Sequence, residues 1–309
     1  MVAVIPAYGR PDLLRQALDS LATERPALAG AIVVNNGRDA ATARAARAAA
    51  VPVTVVEPAC NLGTAGGIAA GMQAVLELPA ATHAWILDDD SVAEPGALAA
   101  MLAAMAETRA EAAAPLIADA RGEVRWVPCR LPGAERRFLR EGPDQARWIA
   151  RLGAAPRPWP WTIWASVVIS RRAIAATGFP RLELWSQFSD IEYTLRVTAR
   201  FRAVLAPRAL CRHLPPETGG AGFDAKLYAA LQNGNYTGLR LPHARRALRH
   251  LPGQHFRYLR HYGFRPAAWW RAAGAFWEGA VLGRPSGRTS QREQWERARA
   301  VWPEAGEPR

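Results

Sequence analysis

Lysine is almost missing from this sequence: of 39 Lys plus Arg, only Lys226 is a lysine. An excess of Arg, Ala and Pro fits a GC-rich genome as well as a binding surface, so the formal charge of +12 says little by itself. Cysteine is scarce. Cys60, Cys129 and Cys211 are odd in number, unevenly spaced and form no CxxC pair, which argues against a disulfide framework or a zinc knuckle and fits a reducing, cytoplasmic setting. No run reaches about 18 uncharged apolar residues, and MVAVIPAYGR lacks the basic start and apolar core of a secretory signal, so a chain that does not span the membrane is expected.

What is present begins with apolar content. At 309 residues, half of them hydrophobic, the chain can bury a core of one large or two modest domains. The positive charge is unevenly placed: residues 226–309 hold 15 Lys plus Arg against 5 Glu and no Asp, a balance of +10 out of the total of +12. Such a segment suits an anionic membrane surface, nucleic acid or a phosphorylated substrate; a solvated helical face in an Arg-rich proteome explains it equally well.

Through the first hundred residues, short apolar runs alternate with helical patterns. VAVIP (2–6), AIVVN (31–35), VTVVEP (53–58) and HAWIL (83–87) read as strands, separated by helices at 11–24, 41–50 and 64–78. Strands of this length separated by helices predict βαβ units and a mostly parallel, Rossmann-like sheet flanked by helices. Open parallel sheets bind ligands beyond the carboxyl ends of their strands. PAYGR, NNG, CNLGTAGG and DDDS each begin where a predicted strand stops, so the four should share one rim. Further strands are expected at 112–117, 123–128, 163–170 and 201–207, a helix at 189–201, and a mobile loop at 211–223. From Asp224 onward the chain reads as helical, broken at Pro242, Pro252, Pro266 and Pro285. This divides it into an α/β domain over 1–215 and a basic helical extension over 216–309.

The segment WILDDDS poses the chemical question, because Asp88, Asp89 and Asp90 repel one another at the end of a strand. Ser91 followed three residues later by Glu94 has the form of a capping box for the helix in GALAAMLAAMAE, and acids favour a helix's positive end. Alternatively, Asp88 and Asp90 place hard oxygen ligands on one Mg²⁺ or Mn²⁺, whose charge offsets their repulsion and bridges a diphosphate. A second acidic pair, Asp190 and Glu192, lies near Trp185 and Phe188, where an apolar setting raises a carboxyl pKa toward general-base range; an acid at a helix start capped by Ser189 is the plainer account. His213 offers an imidazole ligand. CNLGTAGG departs from GxGxxG and follows the third strand, which argues against a nicotinamide site; its small residues let a helix start present N–H groups to a phosphate, or simply pack closely.

IPAYGRPD, VVNNG, NLGTAGG, ILDDDS, SDIEYTLR and the later His213, in that order and spacing, resemble family 2 glycosyltransferases of the GT-A fold, and within them bacterial galactofuranosyl- and rhamnosyltransferases. The motifs cover residues 2–215, and LQNGNY and EGAVLGRPSG extend the likeness more loosely. The resemblance implies an inverting, metal-dependent transfer from a UDP- or dTDP-sugar to an acceptor hydroxyl, with Mn²⁺ or Mg²⁺ as cofactor. Asp190 would be the catalytic base, although the usual ED motif reads Ser189–Asp190, which leaves Glu192 as a competitor. Asp88, Asp90 and His213 would hold the metal. The nucleotide would contact Pro6, Ala7, Tyr8, Arg10, Asn35, Asn36, Asn61, Gly66, Gly67, Asp88 and Asp89, with Tyr8 stacking on the base. Asn35 and Asn36 replace an Asp that pairs with a pyrimidine; an amide oxygen can still accept from its N3–H.

Trp164, Trp185 and Glu192 are candidates for the acceptor side, core filling being an equal account of Trp164. Acceptors in view are a glycan, a lipid-linked or a small-molecule hydroxyl, in surface polysaccharide assembly or natural-product tailoring. Arg245, Arg246, Arg249, Arg257, Arg260 and Arg271 near Trp269, Trp270 and Trp277 would suit peripheral contact with the anionic inner face of the cell membrane. No nucleic-acid module appears, so no nucleic-acid partner is expected. Competing readings are a sugar-phosphate nucleotidyltransferase, whose Gly-rich basic N-terminal loop is missing here, and a catalytically inactive nucleotide-sugar-binding protein.

Overall fold

The computed structural model describes residues 1–26, 28–127, 152–214, 221–245 and 251–286. Its first half alternates β1 (Val2–Ala7), α1 (Pro11–Ala22), β2 (Gly30–Asn35), α2 (Ala40–Arg47), β3 (Val53–Val56), α3 (Gly63–Glu77) and β4 (His83–Ile86). The four strands are neighbours in the order β3-β2-β1-β4, all parallel. β1 and β2 are buried at every position because helices cover both faces, hence their unbroken apolar runs. Pro6 sits in a central strand, yet β1 pairs with β4 only from Val2 to Val4, so its missing N–H breaks no bond on that side. Helix α3 lies so close to β1 that a Cβ on Gly71 would come within 2.2 Å of Val4.

Beyond β4 run β5 (Ser91–Ala93), α4 (Ala97–Thr108), β6 (Ala112–Ala118), β7 (Val124–Trp126), β8 (Arg157–Pro158), β9 (Val167–Ser170), α5 (Arg171–Thr177), α6 (Ser189–Arg200) and β10 (Ala203–His213). The sheet continues β4-β9-β6-β10-β5 and becomes mixed, with β9 antiparallel to both β4 and β6. One apolar layer packs Ile68, Met72, Ile174 and Tyr193 against one face; another packs Leu14, Leu18, Leu98 and Met101 against the other.

Three expectations need correction here. Ser91 caps no helix: it is a strand residue opposite His213, and Glu94 bonds Arg212. Helix α4 starts at Ala97, six residues on, and the N–H of Leu98 donates to Glu24 Oε2 at 2.9 Å, a carboxylate from just past α1. The strand expected at 163–170 is ordered as β9 only from Val167. The loop expected at 211–223 begins later, since β10 runs to His213, with an irregularity between Leu205 and Leu210.

The C-terminal part contributes α7 (Ala221–Arg240), α8 (Leu251–His261), α9 (Pro266–Phe276) and a π-helical turn, Trp277–Val281. The prolines act as read: α7 ends before Pro242, and Pro252 and Pro266 occupy first-turn positions where no N–H is needed. Leu231 packs with Tyr258, Leu259, Ala268, Ala272 and Ala275, while Leu241 and Ala244 pack on Phe188, Ile191 and Leu195 beside α6. Cys129, Arg246 and Arg249, most of the Pro, Arg and Trp-rich stretch before Trp161, residues 215–220 and the end from 287 lie outside the described residues. Among the described residues no helix is long and apolar enough to cross a membrane.

Candidate active site

Because β1 to β4 are parallel neighbours, the segments that follow them meet at one edge, as the βα alternation requires. The Tyr8 N–H donates to Asp89 Oδ2 at 3.2 Å, tying the β1 and β4 exits together. Arg10 spans both further acids: its Nη2 and Nε reach Asp89, and its Nη1 donates to Asp90 Oδ2 at 2.6 Å. Asp89, almost fully buried, is paired with Arg10, yet burial still raises its carboxyl to about 6.

Asp88 and Asp90 are treated differently. The antiparallel register of β10 on β5 sets His213 opposite Ser91, and the Leu214 N–H donates to the Asp90 carbonyl at 2.7 Å. His213 Nε2 thereby comes to 3.1 Å from Asp90 Oδ1 and 3.9 Å from Asp88 Oδ2. One ligand atom from each of Asp88, Asp90 and His213 fits within 4.8 Å of the others. Asp90 Oδ1 is buried without a well-aligned hydrogen-bond donor. Two hard oxygens and an imidazole, one oxygen buried against the His213 ring, fit a divalent cation such as Mn²⁺ or Mg²⁺. Burial and the Asp90 charge push the Asp88 carboxyl up to about 7, with Asp190 adding to the repulsion. Burial alone would raise Asp90 too, but His213 and Arg10 hold it below the usual carboxylate range.

Asp190 occupies the first turn of α6, half-buried, its Oδ1 accepting from the Ile191 N–H at 2.7 Å. Burial raises its carboxyl to about 6, against that hydrogen bond. Ser189 is not a cap: Phe188, with φ 70°, precedes the helix, and the Ser189 hydroxyl accepts from Trp164 Nε1 at 3.1 Å. Two residues on, Glu192 is fully buried and bonded to Arg196 (2.7 and 3.0 Å) and His243 (2.8 Å), with Arg181 at 3.5 Å. Burial would raise its pKa, yet Arg196, the His243 hydrogen bond and Arg181 hold it at about 2. Glu192 is thus a fixed counter-ion, which removes it both as a competing base and as an acceptor contact. Trp164 and Trp185, 3% and 4% exposed, pack within the core and offer no open ring face to an acceptor. For Trp164 the core-filling account holds, and for Trp185 the functional leaning is corrected.

The expected nucleotide contacts divide. Tyr8 is 60% exposed, its ring lying beside Gly37, where a Cβ would be 3.4 Å away; one face is open for stacking. Pro6 and Ala7 are buried in β1 just before it. Asn35 is buried and spends its amide on the Asp39 backbone and Glu57 Oε1. Asn36 donates to the Gly63 carbonyl at 3.0 Å and accepts from Leu62 N–H, holding the start of α3. Neither amide faces open solvent. Asn61 Oδ1 accepts from the Gly63 N–H at 2.8 Å. The Gly66 N–H is spent on Leu62 O, and a Cβ on Gly67 would meet Asn36 at 2.5 Å. Close packing accounts for the missing side chain at both glycines.

A family model described as glycosyltransferase-like family 2 matches residues 1–230. The chain belongs to that family. No curated protein sequence matches this glycosyltransferase. Among solved structures, residues 1–349 of Staphylococcus aureus TarS share 15% identity at a TM-score of 0.54, covering 97% of this chain and 87% of that one; the same fragment is known with UDP-GlcNAc. The mannosyltransferase PcManGT from Pyrobaculum calidifontis, in complex with GDP-Man and Mn²⁺, shares 16% at 0.54, covering 98% and 86%. GalNAc-T7 with UDP, GalNAc and Mn²⁺ shares 14% at 0.54; the match covers 78% of this chain and only 51% of that one. These likenesses establish the GT-A fold.

Motif reading missed one element of this glycosyltransferase's site. Trp185 and Phe188, neither of them glycine, have φ of 55° and 70° in the turn leading into Asp190. Such backbone costs energy unless its surroundings over-determine it. Asn233 on α7 does so, donating to the carbonyls of Leu184 and Gln187, both at 2.8 Å, while its Oδ1 accepts from Ser286 N–H. A polar cluster, LQNGNY, inside a helical pattern was the signal.

Proposed function

We propose that this family 2 enzyme catalyses inverting transfer of a sugar from a nucleoside-diphosphate donor to an acceptor hydroxyl, with Asp190 as base and Asp88, Asp90 and His213 as the ligands of Mn²⁺ or Mg²⁺. The observation that carries the reading is the grouping at the rim: three potential ligand atoms within 4.8 Å of one another, beside a half-buried carboxyl raised to about 6. A divalent cation bound there would offset the charge of the donor diphosphate and of the leaving nucleoside diphosphate.

Asp190 accepts the proton of the acceptor hydroxyl. The acceptor oxygen bonds to the anomeric carbon as the bond to the diphosphate oxygen breaks on the opposite face, so one displacement inverts the configuration. A carboxyl near 6 is ionised at neutral pH yet basic enough to assist. Asp89 and Arg10 hold the acidic loop, and Tyr8 offers its ring to the base. The bound nucleotides of the similar structures, UDP in TarS and GDP-Man in PcManGT, support a nucleotide-sugar donor. A UDP- or dTDP-sugar donor and a role in surface polysaccharide or glycoconjugate assembly at the cytoplasmic side of the membrane are the finer parts of the proposal.

Hydrolysis of a panel of nucleotide sugars with Mn²⁺, with and without chelator, tests it. Slow, metal-dependent hydrolysis of one donor, lost in Asp190→Asn, is expected. Tight nucleotide binding with no turnover of any donor or acceptor would favour a catalytically inactive binding protein instead.

A further inference from the structure

Helix α9 carries its side chains the wrong way round for a soluble protein. Its packed face is Ala268, Ala272 and Ala275, while Trp269 (55% exposed), Trp270 (79%), Phe276 and Trp277 (57%) stand outward. The small residues let α9 lie close on α7, and nothing in that packing uses the large rings. A helix apolar on both faces normally has something covering each. Phe256 on α8 and Phe264 before α9, ring centroids 5.8 Å apart and both exposed, extend the outward aromatic surface.

Charge selects what covers it. From Ala225 to Trp277 the sequence contains no Asp or Glu. Arg257, Arg260, Arg265 and Arg271 are exposed, and none forms an ion pair among the described residues. Arg271 lies instead 5.9 Å from each of the Tyr228 and Tyr262 rings. A second copy of this surface would bring like charge against like. A bilayer bearing anionic lipid satisfies both components: tryptophan rings settle at headgroup depth, and arginines lay their stems along apolar surface with guanidiniums among the phosphates.

We infer that the α8–α9 surface is a docking face for an anionic lipid bilayer, through the outward tryptophans of α9 and of the turn after it, and the exposed arginines around them. The face lies outside the acidic rim, so the inference stands or falls apart from the reaction proposed above.

The test is flotation of the full chain with phosphatidylcholine vesicles, neat or with about 30 mol % phosphatidylglycerol, at about 50 mM salt, where screening is weak. Binding to the anionic vesicles only, with a blue shift of tryptophan emission, is expected. The triple variant Trp269→Ser, Trp270→Ser, Trp277→Ser should lose at least about tenfold in partitioning, and Arg257→Gln and Arg260→Gln about fivefold each. All of these positions are exposed, so circular dichroism melting should be unchanged, and donor hydrolysis without vesicles should persist in every variant. Absence of flotation by the folded wild-type chain on anionic vesicles overturns the inference. So does a dimer in sedimentation velocity that the tryptophan variant dissociates while vesicle binding stays negligible, which would assign the face to a second copy.

Discussion

Two groups of carboxylates are drawn out of bulk water at opposite sides of one short helix, and the protein treats them in opposite ways. Glu192, and Glu183 beside it, receive partners from the chain itself: Arg181 pairs with both, Arg196 and the His243 ring bond Glu192, and Glu192 is held at about 2. At the rim, Arg10 serves Asp89 and one oxygen of Asp90, yet Asp89 is still raised to about 6, and Asp88 and Asp190 are pushed up to about 7 and 6 by burial. A buried anion is tolerated when paired. Where the pairing is complete, the group is structure; where it is left open, a ligand or a proton must complete it.

The sharpest way to break this contrast is to remove charge on each side in turn. Asp190→Asn should lower turnover by about 10² to 10⁴-fold with donor affinity nearly intact, measured by initial rates and calorimetry. An equal loss of affinity would place Asp190 in donor binding. Glu192→Ala should instead act on stability, costing about 3–5 kcal/mol in urea unfolding because it strands buried cations; a cost below about 1 kcal/mol would show that the ion-pair cluster is not what anchors α6.

Smaller effects sharpen the same contrast. Asp90→Ala, or chelation of the wild type, should weaken UDP binding by at least about tenfold, as a missing counter-ion for the diphosphate requires. Asn233→Ala should cost about 1–3 kcal/mol by removing the hydrogen bonds to the Leu184 and Gln187 carbonyls and from the Ser286 N–H, and should lower kcat more than it raises KM if the turn before Asp190 loosens. The pH responses have opposite forms. Asp190 must be ionised to act, so kcat should fall about tenfold per unit below about 6, a limb that Asp190→Asn abolishes. Glu192 is depressed when folded, so its stabilisation is present above its unfolded pKa of about 4.5 and is lost as pH falls toward about 2.

The rim was legible because four polar motifs follow four predicted strands, and parallel βα units deliver strand exits to one edge whatever lies downstream. Asp88, Asp90, Asp190 and His213 were named from their chemistry and order, and the structure brings Asp88, Asp90 and His213 into one cluster with Asp190 close enough to raise Asp88. The local spacing at Ser91 and Glu94 misled because α4 takes its cap from Glu24, some seventy residues away, and no short pattern encodes that partner. Asn35, Asn36, Gly66 and Gly67 were ambiguous for another reason: the same small or amide residues suit a ligand and a tight helix–strand contact, and only the structure shows the packing they make.

Periodicity and residue order, which act over a few neighbours, determined the βα alternation, the rim and the helices α7 to α9. Contacts across long stretches of chain decided the rest. Residues 88 and 213 meet through strand register, Glu192 differs from Asp190 in the partners that enclose it, and the tryptophans of α9 face outward because its alanines fill the narrow space against α7. Burial and pairing are properties of the assembled sheet and helices, and they set whether a carboxylate holds the fold together or stays open for chemistry.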